Sequence, residues 1–171
     1  LSRAPRPGDN IRRRGEDVRS GDCLIEAGTE MGPLQAGVAA ACGYPGVRVF
    51  RRLRVALFTT GSELRQPGES IQPGEIYDAN RFILRGLLAK PWIDLVDLGS
   101  CIDKPSRLRS VFQTAAARAD VIISAGGISV GDEDHVVDAF QRCGGKLWVR
   151  KVAIKPGKPL AYGRIGAAHF I

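Results

Sequence analysis

From residue 54 onward, the pattern of hydrophobic and polar positions predicts strands and helices in turn. Short runs rich in β-branched residues predict strands at 55–59, 93–98, 121–124, 147–154 and 159–162. Apolar residues at helical spacing predict helices at 79–90, 106–118 and about 135–142. This alternation is typical of a parallel sheet covered by helices. We therefore expect a three-layer α/β/α domain in which the strand ending at Ser124 is central.

The first 50 residues follow a different pattern, rich in glycine and charge. A helix is predicted at 33–42, starting at Pro33 and stopping before Gly43, with short strands at 23–25 and 47–50. A basic junction, RRLR, follows. We predict a small mixed lobe over 1–52 and the α/β domain over 53–171. Neither terminus resembles a natural chain end, so we expect a piece of a longer protein.

Composition narrows the possible functions. A hydrophobic content of 44% with 25% charged residues is typical of a globular protein, and no apolar run is long enough to span a membrane. Four scattered cysteines and two histidines predict small core residues in a cytoplasmic protein rather than a zinc site. The net charge is +7, and residues 145–171 contain cations but no acid. Aromatic residues, on which bases could stack, make up only 6% of the chain. The cluster of cations therefore favours a local anion site over a nucleic-acid surface.

The segment DVIISAGGISVGDED, residues 120–134, is the most informative motif. A predicted buried strand runs directly into Gly126 and Gly127, followed by Ser129 and then by three acids that end at Asp134. Glycines at the end of a strand let backbone N–H groups face an anion. Carboxylates just beyond them suit a divalent metal that also binds phosphate. The alternative is an ordinary strand-to-helix turn with solvated acids.

Three further segments add polar groups after predicted strands. The segment TTGSEL, residues 59–64, offers hydroxyls and Glu63, a possible metal ligand or base. Asp103 follows the next strand, where it could instead cap the helix after Pro105. The segment KVAIKPGKP, residues 151–159, would place Lys151 and Lys155 on one side of a strand, before a turn stiffened by prolines. Such a turn predicts a clamp for anions.

The motifs TTGSEL, SAGGISVGDED and KVAIKPGKP occur in this order, together with EIYDANR and the N-terminal GDNIRRRGEDVRSGD. They resemble the molybdopterin molybdotransferase family, which includes MoeA and the E domain of gephyrin. The resemblance covers nearly the whole chain and implies a MogA-like fold truncated at its C-terminal end. It implies molybdenum cofactor biosynthesis: molybdenum from molybdate is inserted into adenylated molybdopterin, with Mg²⁺-dependent release of AMP. An intact member is expected to be a cytoplasmic homodimer that binds neither nucleic acid nor membrane.

The resemblance also implies roles for individual residues. The catalytic group comprises Glu63, Asp103, Ser129 and Asp134, and Asp134 and Glu63 would bind Mg²⁺. The substrate-binding group comprises Thr60, Gly61, Ser62, Asp78, Asn80, Gly126, Gly127, Lys151, Lys155 and Lys158.

Two positions depart from the family's pattern, because Ser62 and Lys104 stand where acids are usual. Two other functions are compatible with the motifs. One is a molybdopterin adenylyltransferase of the MogA type, and the other is a gephyrin-like scaffold without catalysis. Because the family builds its site with further domains, the isolated chain is expected to bind ligand weakly and to turn over poorly.

Overall fold

The computed structural model describes residues 4, 6–127, 135–154 and 159–171. The chain divides into two compact units, Leu1–Phe50 and Arg51–Ile171. Membrane-spanning helices need about 20 apolar residues. Within the described residues, every helix falls short of that length and apolar content.

Reciprocal turns are the main feature of the first unit. In each turn an acidic side chain accepts the backbone N–H of an arginine three residues earlier, at 2.7–2.8 Å. The backbone N–H of the acidic residue is donated in return to the carbonyl of that arginine. The pairs are Arg6–Asp9, Arg13–Glu16 and Arg19–Asp22. These charged residues therefore satisfy the backbone locally, in a segment with little regular structure.

The predicted helix of the first unit forms, but its predicted strands do not. Helix α1 (Pro33–Ala41) begins with the proline and is followed by Gly43, whose φ of +83° suits the position after a helix end. The strands predicted at 23–25 and 47–50 are irregular chain. Phe50 is 84% exposed. A strand needs a neighbour to pair with, and the described part of this unit contains none.

The second unit carries the predicted alternation of strands and helices. Its described elements are β1 (Leu53–Thr60), β2 (Leu64–Arg65), β3 (Ile76–Tyr77), α2 (Ala79–Leu88), β4 (Ile93–Cys101), α3 (Pro105–Arg118), β5 (Val121–Ala125), α4 (His135–Arg142), β6 (Lys146–Val149), β7 (Tyr162–Ile165) and β8 (Ala168–Phe170).

Six of these strands form one sheet in the order β4-β1-β5-β8-β7-β6, whereas β2 and β3 form a separate parallel pair. Strands β4, β1, β5 and β8 are parallel, and β7 is antiparallel to both β8 and β6. Two reversals leave β6 pointing the same way as β8. Five strands therefore end at one edge of the sheet, which we call the carboxyl edge. The predicted, mostly parallel sheet with β5 inside it is confirmed.

One face of the sheet is covered by α3 and α4 through a cluster of phenylalanines. Phe58, Phe112, Phe140 and Phe170 are completely buried, with neighbouring ring centroids 4.5–5.5 Å apart. Aromatic pairs of this kind contribute about 0.5–1.5 kcal/mol each beyond the area that they bury. The core of the second unit therefore lies between the sheet and these two helices.

The opposite face of the sheet carries α2. Side chains alternate between the two faces along a strand, so Thr59 points away from the face that carries Phe58. Thr59 donates a hydrogen bond to Asp78, the residue that caps α2. Helix α2 therefore forms the third layer, and the predicted α/β/α order is confirmed.

Four details of the sequence prediction are wrong. Strand β6 ends at Val149 rather than at 154, because its partner β7 begins opposite that residue at Tyr162. The strand predicted at 159–162 is displaced to β7, and the prediction missed β8 and the short β2 and β3. The cysteines are not all core residues, because Cys23 and Cys42 are exposed while Cys101 is buried.

Candidate active site

The strand connections diverge at the carboxyl end of β1. The chain leaving β1 leads to α2 on one face, whereas the chains leaving its neighbours β4 and β5 lead to α3 and α4 on the other face. Diverging connections of this kind mark the topological switch point at which open α/β sheets bind ligands. The polar residues that follow β1, β4 and β5 are therefore the candidates for a site.

The Gly126-Gly127 turn lies directly on the end of β1. The φ values of Gly126 and Gly127 are +93° and +68°. A Cβ atom on Gly126 would lie 2.1 Å from the carbonyl oxygen of Thr60, and one on Gly127 would lie 2.4 Å from Cγ2 of Val136. Both glycines are therefore required by backbone conformation and by packing. Residues 128–134, including Ser129 and Asp134, lie outside the described residues.

The segment after β1 brings Glu63 to the same edge. Thr60 is buried, and within the described residues its hydroxyl has no hydrogen-bond partner. The N–H of Gly61 donates to the carbonyl of Cys101 at 3.3 Å, which joins the ends of β1 and β4. The Glu63 carboxylate folds back over Gly61, where a Cβ atom would lie 2.7 Å from Oε2. Ser62 is exposed.

Asp103 is half-buried just after β4. The alternative role as a helix cap is wrong, because Lys104 occupies the N-cap position of α3 and forms no capping side-chain hydrogen bond. Burial raises the pKa of the neighbouring Cys101 thiol, and the negative charge of Asp103 raises it further. Asp103 thus places a carboxylate at the end of the strand beside β1.

Asp78 is buried and held by hydrogen bonds within the fold. Its carboxylate accepts from the hydroxyl of Thr59, from the hydroxyl of Ser100 at 2.5 Å and from the backbone N–H of Arg81 at 3.1 Å. Burial alone would raise the pKa of Asp78, but these hydrogen bonds outweigh it, so the pKa lies below its usual value. Asn80, in contrast, is exposed near the start of α2.

Lys151 lies far along the carboxyl edge from these groups. It is exposed and follows the end of β6, and residues 151–154 are not part of a strand. Whether it shares a strand face with Lys155 stays a prediction. Four strand spacings separate β6 from β1, or about 19 Å. Lys155 and Lys158 lie outside the described residues. Glu63, Asp103 and the Gly-Gly turn therefore follow the ends of three adjacent strands, whereas Lys151 follows β6, four strands from β1.

Sequence reasoning missed several polar residues around Asp78. Gln66, Arg81 and Ser100 are joined to it by hydrogen bonds, directly or through one another. Arg81 belongs to the EIYDANR motif and Thr59 begins TTGSEL, so both could have been suspected. Nothing in the local sequence marks Gln66 or Ser100, because their role depends on contacts between distant segments.

Both parts of the chain match known protein families. Residues 56–170 match the family described as a probable molybdopterin binding domain, and residues 2–43 match the MoeA N-terminal region, domains I and II. The chain belongs to the molybdopterin-binding domain family. The family resemblance inferred from the motifs is thus confirmed.

Relatives of this family match nearly all of the chain. The chain is 39% identical to a molybdopterin molybdenumtransferase from Haemophilus influenzae. The matched region covers 99% of this chain and 42% of that protein. Identity to a protein of the same name from Nostoc sp. is 37%, over 91% of this chain and 36% of the relative. A crystal structure of a molybdopterin biosynthesis MoeA protein from Pyrococcus horikosii superimposes with a TM-score of 0.78 at 29% identity, over 91% of this chain and 38% of that one. The chain thus spans about two fifths of these proteins.

Proposed function

We propose that this chain forms the molybdopterin-binding core of a molybdopterin molybdenumtransferase. In this reaction molybdenum from molybdate enters adenylated molybdopterin and AMP is released. The observation that carries the proposal is the convergence of Glu63, Asp103 and the Gly126-Gly127 turn at the ends of three adjacent strands. The names of the relatives support the same chemistry.

Each group has a proposed role. Backbone N–H groups of the turn at Gly126 and Gly127, with the hydroxyls of Thr60, Ser62 and Ser129, bind phosphate oxygens. Asp103 positions water beside the phosphates, and Asp78 and Asn80 border the site. We propose Lys155 and Lys158, together with Lys151 farther along the carboxyl edge, as the cations that bind the remaining phosphate charge or molybdate. Fixed cations and N–H donors of this kind stabilise the charge that develops on a departing phosphate.

Magnesium fits the donor chemistry of this edge. Among the described residues no group of three or more metal-binding side chains occurs. Mg²⁺ characteristically uses one or two carboxylates together with substrate phosphates, so two acids suffice. We propose Glu63 and Asp134 as these ligands. The bound ion would neutralise phosphate charge and polarise the bond to the leaving AMP.

We propose a cytoplasmic location and a homodimer. Four free cysteines suit the reducing cytoplasm. Exposed apolar side chains on α2, among them Phe82, Ile83 and Leu87, suit burial in a homodimer. Sedimentation of the protein at several concentrations would test the dimer, and a monomer at every concentration would contradict it.

The central test measures AMP release from adenylated molybdopterin with molybdate and Mg²⁺. Because the chain spans two fifths of its relatives, it should be assayed alone and in place of the matching segment of the Haemophilus influenzae protein. Asp134→Asn should lower turnover by about a hundredfold or more, the effect of losing one charge-stabilising group. Binding should persist, because the cations and N–H groups remain.

The matched control is Asp132→Asn, which removes a charge two residues away. Full activity in Asp134→Asn together with loss in Asp132→Asn would transfer the catalytic role to Asp132. Formation of adenylated molybdopterin from ATP, without any use of molybdate, would instead favour an adenylyltransferase.

A further inference from the structure

The segment that carries Glu63 is closed at its base by backbone hydrogen bonds. We call residues 61–77 the Glu63 loop. The N–H of Ile76 donates to the carbonyl of Glu63 and the N–H of Asp78 donates to the carbonyl of Arg65, both at 2.9 Å. These bonds pair β2 with β3, and an Arg65–Glu75 ion pair lies beside them. The position of Glu63 therefore depends on how the base of this loop is attached to the sheet.

Side chains attach the base of the loop through a closed ring of hydrogen bonds. The backbone N–H of Arg81 donates to Asp78 at 3.1 Å, and the Arg81 guanidinium donates to Oε1 of Gln66 at 2.7 Å. Nε2 of Gln66 donates to the hydroxyl of Ser100 at 2.7 Å, and that hydroxyl donates to Asp78 at 2.5 Å. The ring connects the Glu63 loop, the start of α2 and the end of β4.

The direction of every hydrogen bond in the ring is fixed by chemistry. An arginine only donates and an ionised aspartate only accepts, so the Gln66 amide can satisfy both neighbours in a single orientation. Gln66 is the only member that belongs to the Glu63 loop. Its side chain is therefore the bridge between that loop and the two rigid elements behind it.

A strong ion pair holds the arginine of the ring in place. Arg81 donates two hydrogen bonds to Asp97, at 2.9 and 3.1 Å, and Asp97 also accepts from the N–H of Gly99 at 3.0 Å. Burial would raise the pKa of Asp97, but the bonds from Arg81 and Gly99 outweigh it and the pKa is lowered. Bidentate pairs of this geometry are more rigid than a lysine–carboxylate pair.

We propose that Gln66 and Arg81 are positioning residues, which hold the Glu63 loop against the carboxyl edge and thereby set where the Glu63 carboxylate meets the ligand. This inference rests on the proposed function, in which Glu63 binds Mg²⁺ beside the phosphates. A misplacement of about 1 Å can cost about a hundredfold in rate, so a loosened loop affects binding and turnover without unfolding the domain.

The first arm of the test measures attachment of the loop without any ligand. Gln66→Met keeps the length of the side chain but removes both bridging hydrogen bonds. Arg81→Lys removes the guanidinium, which donates to Gln66 and to Asp97. Amide exchange at Ile76 and Asp78 should rise by about tenfold or more in both variants, since local opening becomes easier. Exchange in the core strand β5 should not change.

Arg85→Lys is the matched control. Arg85 also contacts Asp97, at 3.2 Å, but its side chain is 48% exposed. Among the described residues, Gln66 bonds to Arg81 and Ser100 rather than to Arg85. Exchange in the Glu63 loop should match the unsubstituted protein. Unchanged exchange in Gln66→Met, or equal effects of Arg81→Lys and Arg85→Lys, would overturn the inference.

The second arm asks whether the attachment acts through Glu63. Affinity for adenylated molybdopterin with Mg²⁺ is measured for Gln66→Met alone and in a Glu63→Gln background. A positioning role predicts a loss of about tenfold in the first case and almost none in the second, because the carboxylate to be positioned is gone. Equal losses in both backgrounds would show a general structural effect and overturn the role. If exchange rises while Glu63→Gln itself leaves the affinity unchanged, the proposed function of Glu63 fails but the attachment by Gln66 and Arg81 stands.

Discussion

Arg51 binds Asp120 through two parallel hydrogen bonds, at 2.6 and 2.8 Å. Asp120 also accepts from the guanidinium and the backbone N–H of Arg54, both at 3.0 Å. The two arginines lie at the start of β1 and the aspartate at the start of β5. One carboxylate therefore joins the amino ends of two adjacent strands.

Asp120→Asn should lower the free energy of unfolding of the second unit by about 1 kcal/mol, since charge-assisted bonds to a partly exposed carboxylate are lost. The hydrogen bonds from Arg51, followed by those from Arg54, hold the pKa of Asp120 well below its usual range. Its stabilisation is therefore complete above the unfolded-state pKa of about 3.9 and is lost as the pH falls below that value. Urea unfolding from pH 7 down to pH 3 measures this effect. An equal difference between the two proteins at pH 7 and pH 3 would contradict it.

Gly126→Ala should be strongly destabilising, by about 3 kcal/mol, because a positive φ and a collision with the Thr60 carbonyl act together. Two other glycines separate these causes. Gly144 has a φ of +84° with open space around it, so Gly144→Ala should cost only about 1–2 kcal/mol. Gly86 lies in α2, also with open space, and Gly86→Ala should stabilise by about 1 kcal/mol. Thermal unfolding of the three variants measures the order of their stabilities. Equal losses of stability in Gly126→Ala and Gly144→Ala would exclude the collision.

Thr59 and Thr60 are adjacent and both buried, but their substitution by valine should have opposite effects. Thr59→Val removes a hydrogen bond to the buried Asp78 carboxylate and should cost about 2 kcal/mol. Thr60→Val removes a hydroxyl without a partner among the described residues, so stability should stay the same or rise by about 1 kcal/mol. The affinity for adenylated molybdopterin should nevertheless fall in Thr60→Val. Unchanged affinity would remove Thr60 from the proposed site.

The four thiols should differ in their reaction with iodoacetamide. Cys23 and Cys42 are exposed, whereas burial raises the pKa of both Cys101 and Cys143. Only a thiolate reacts quickly, so the exposed pair should be alkylated first at pH 8. Peptide mass spectrometry after a short reaction with iodoacetamide measures the order in which the thiols are alkylated. The same reaction in denaturant is the reference. Early modification of Cys101 would show that the end of β4 opens readily.

The sequence was most reliable where a pattern is local and repeated. The strands β1, β4 and β5 and the helices α2 and α3 follow from apolar periodicity, and the cap at Asp78 follows from its place before α2. The end of β6 could not be predicted, because it depends on where β7 begins. In the same way, the hydrogen-bond ring through Gln66 and Ser100 joins segments 34 residues apart.

Gly126 and Gly127 show how one motif can have two physical meanings. Their sequence context suggested N–H groups that face an anion. The structure adds a packing reason, since any side chain there would collide with Thr60 or Val136. Both requirements act on the same two positions, and a motif alone cannot separate them.

The two ends of β1 carry different groups. Its eight residues span about 26 Å, with the Arg51–Asp120 pair at one end and Glu63 beyond the other. Changes in the loops at the far end can therefore accumulate without weakening that ion pair. For an evolving lineage, this distance lets substitutions around Glu63 accumulate without loss of that ion pair, as long as they spare Gly126 and Thr59, which stabilise the same end. A designer gains the same freedom, because a loop exchanged at that end leaves the Arg51–Asp120 pair intact.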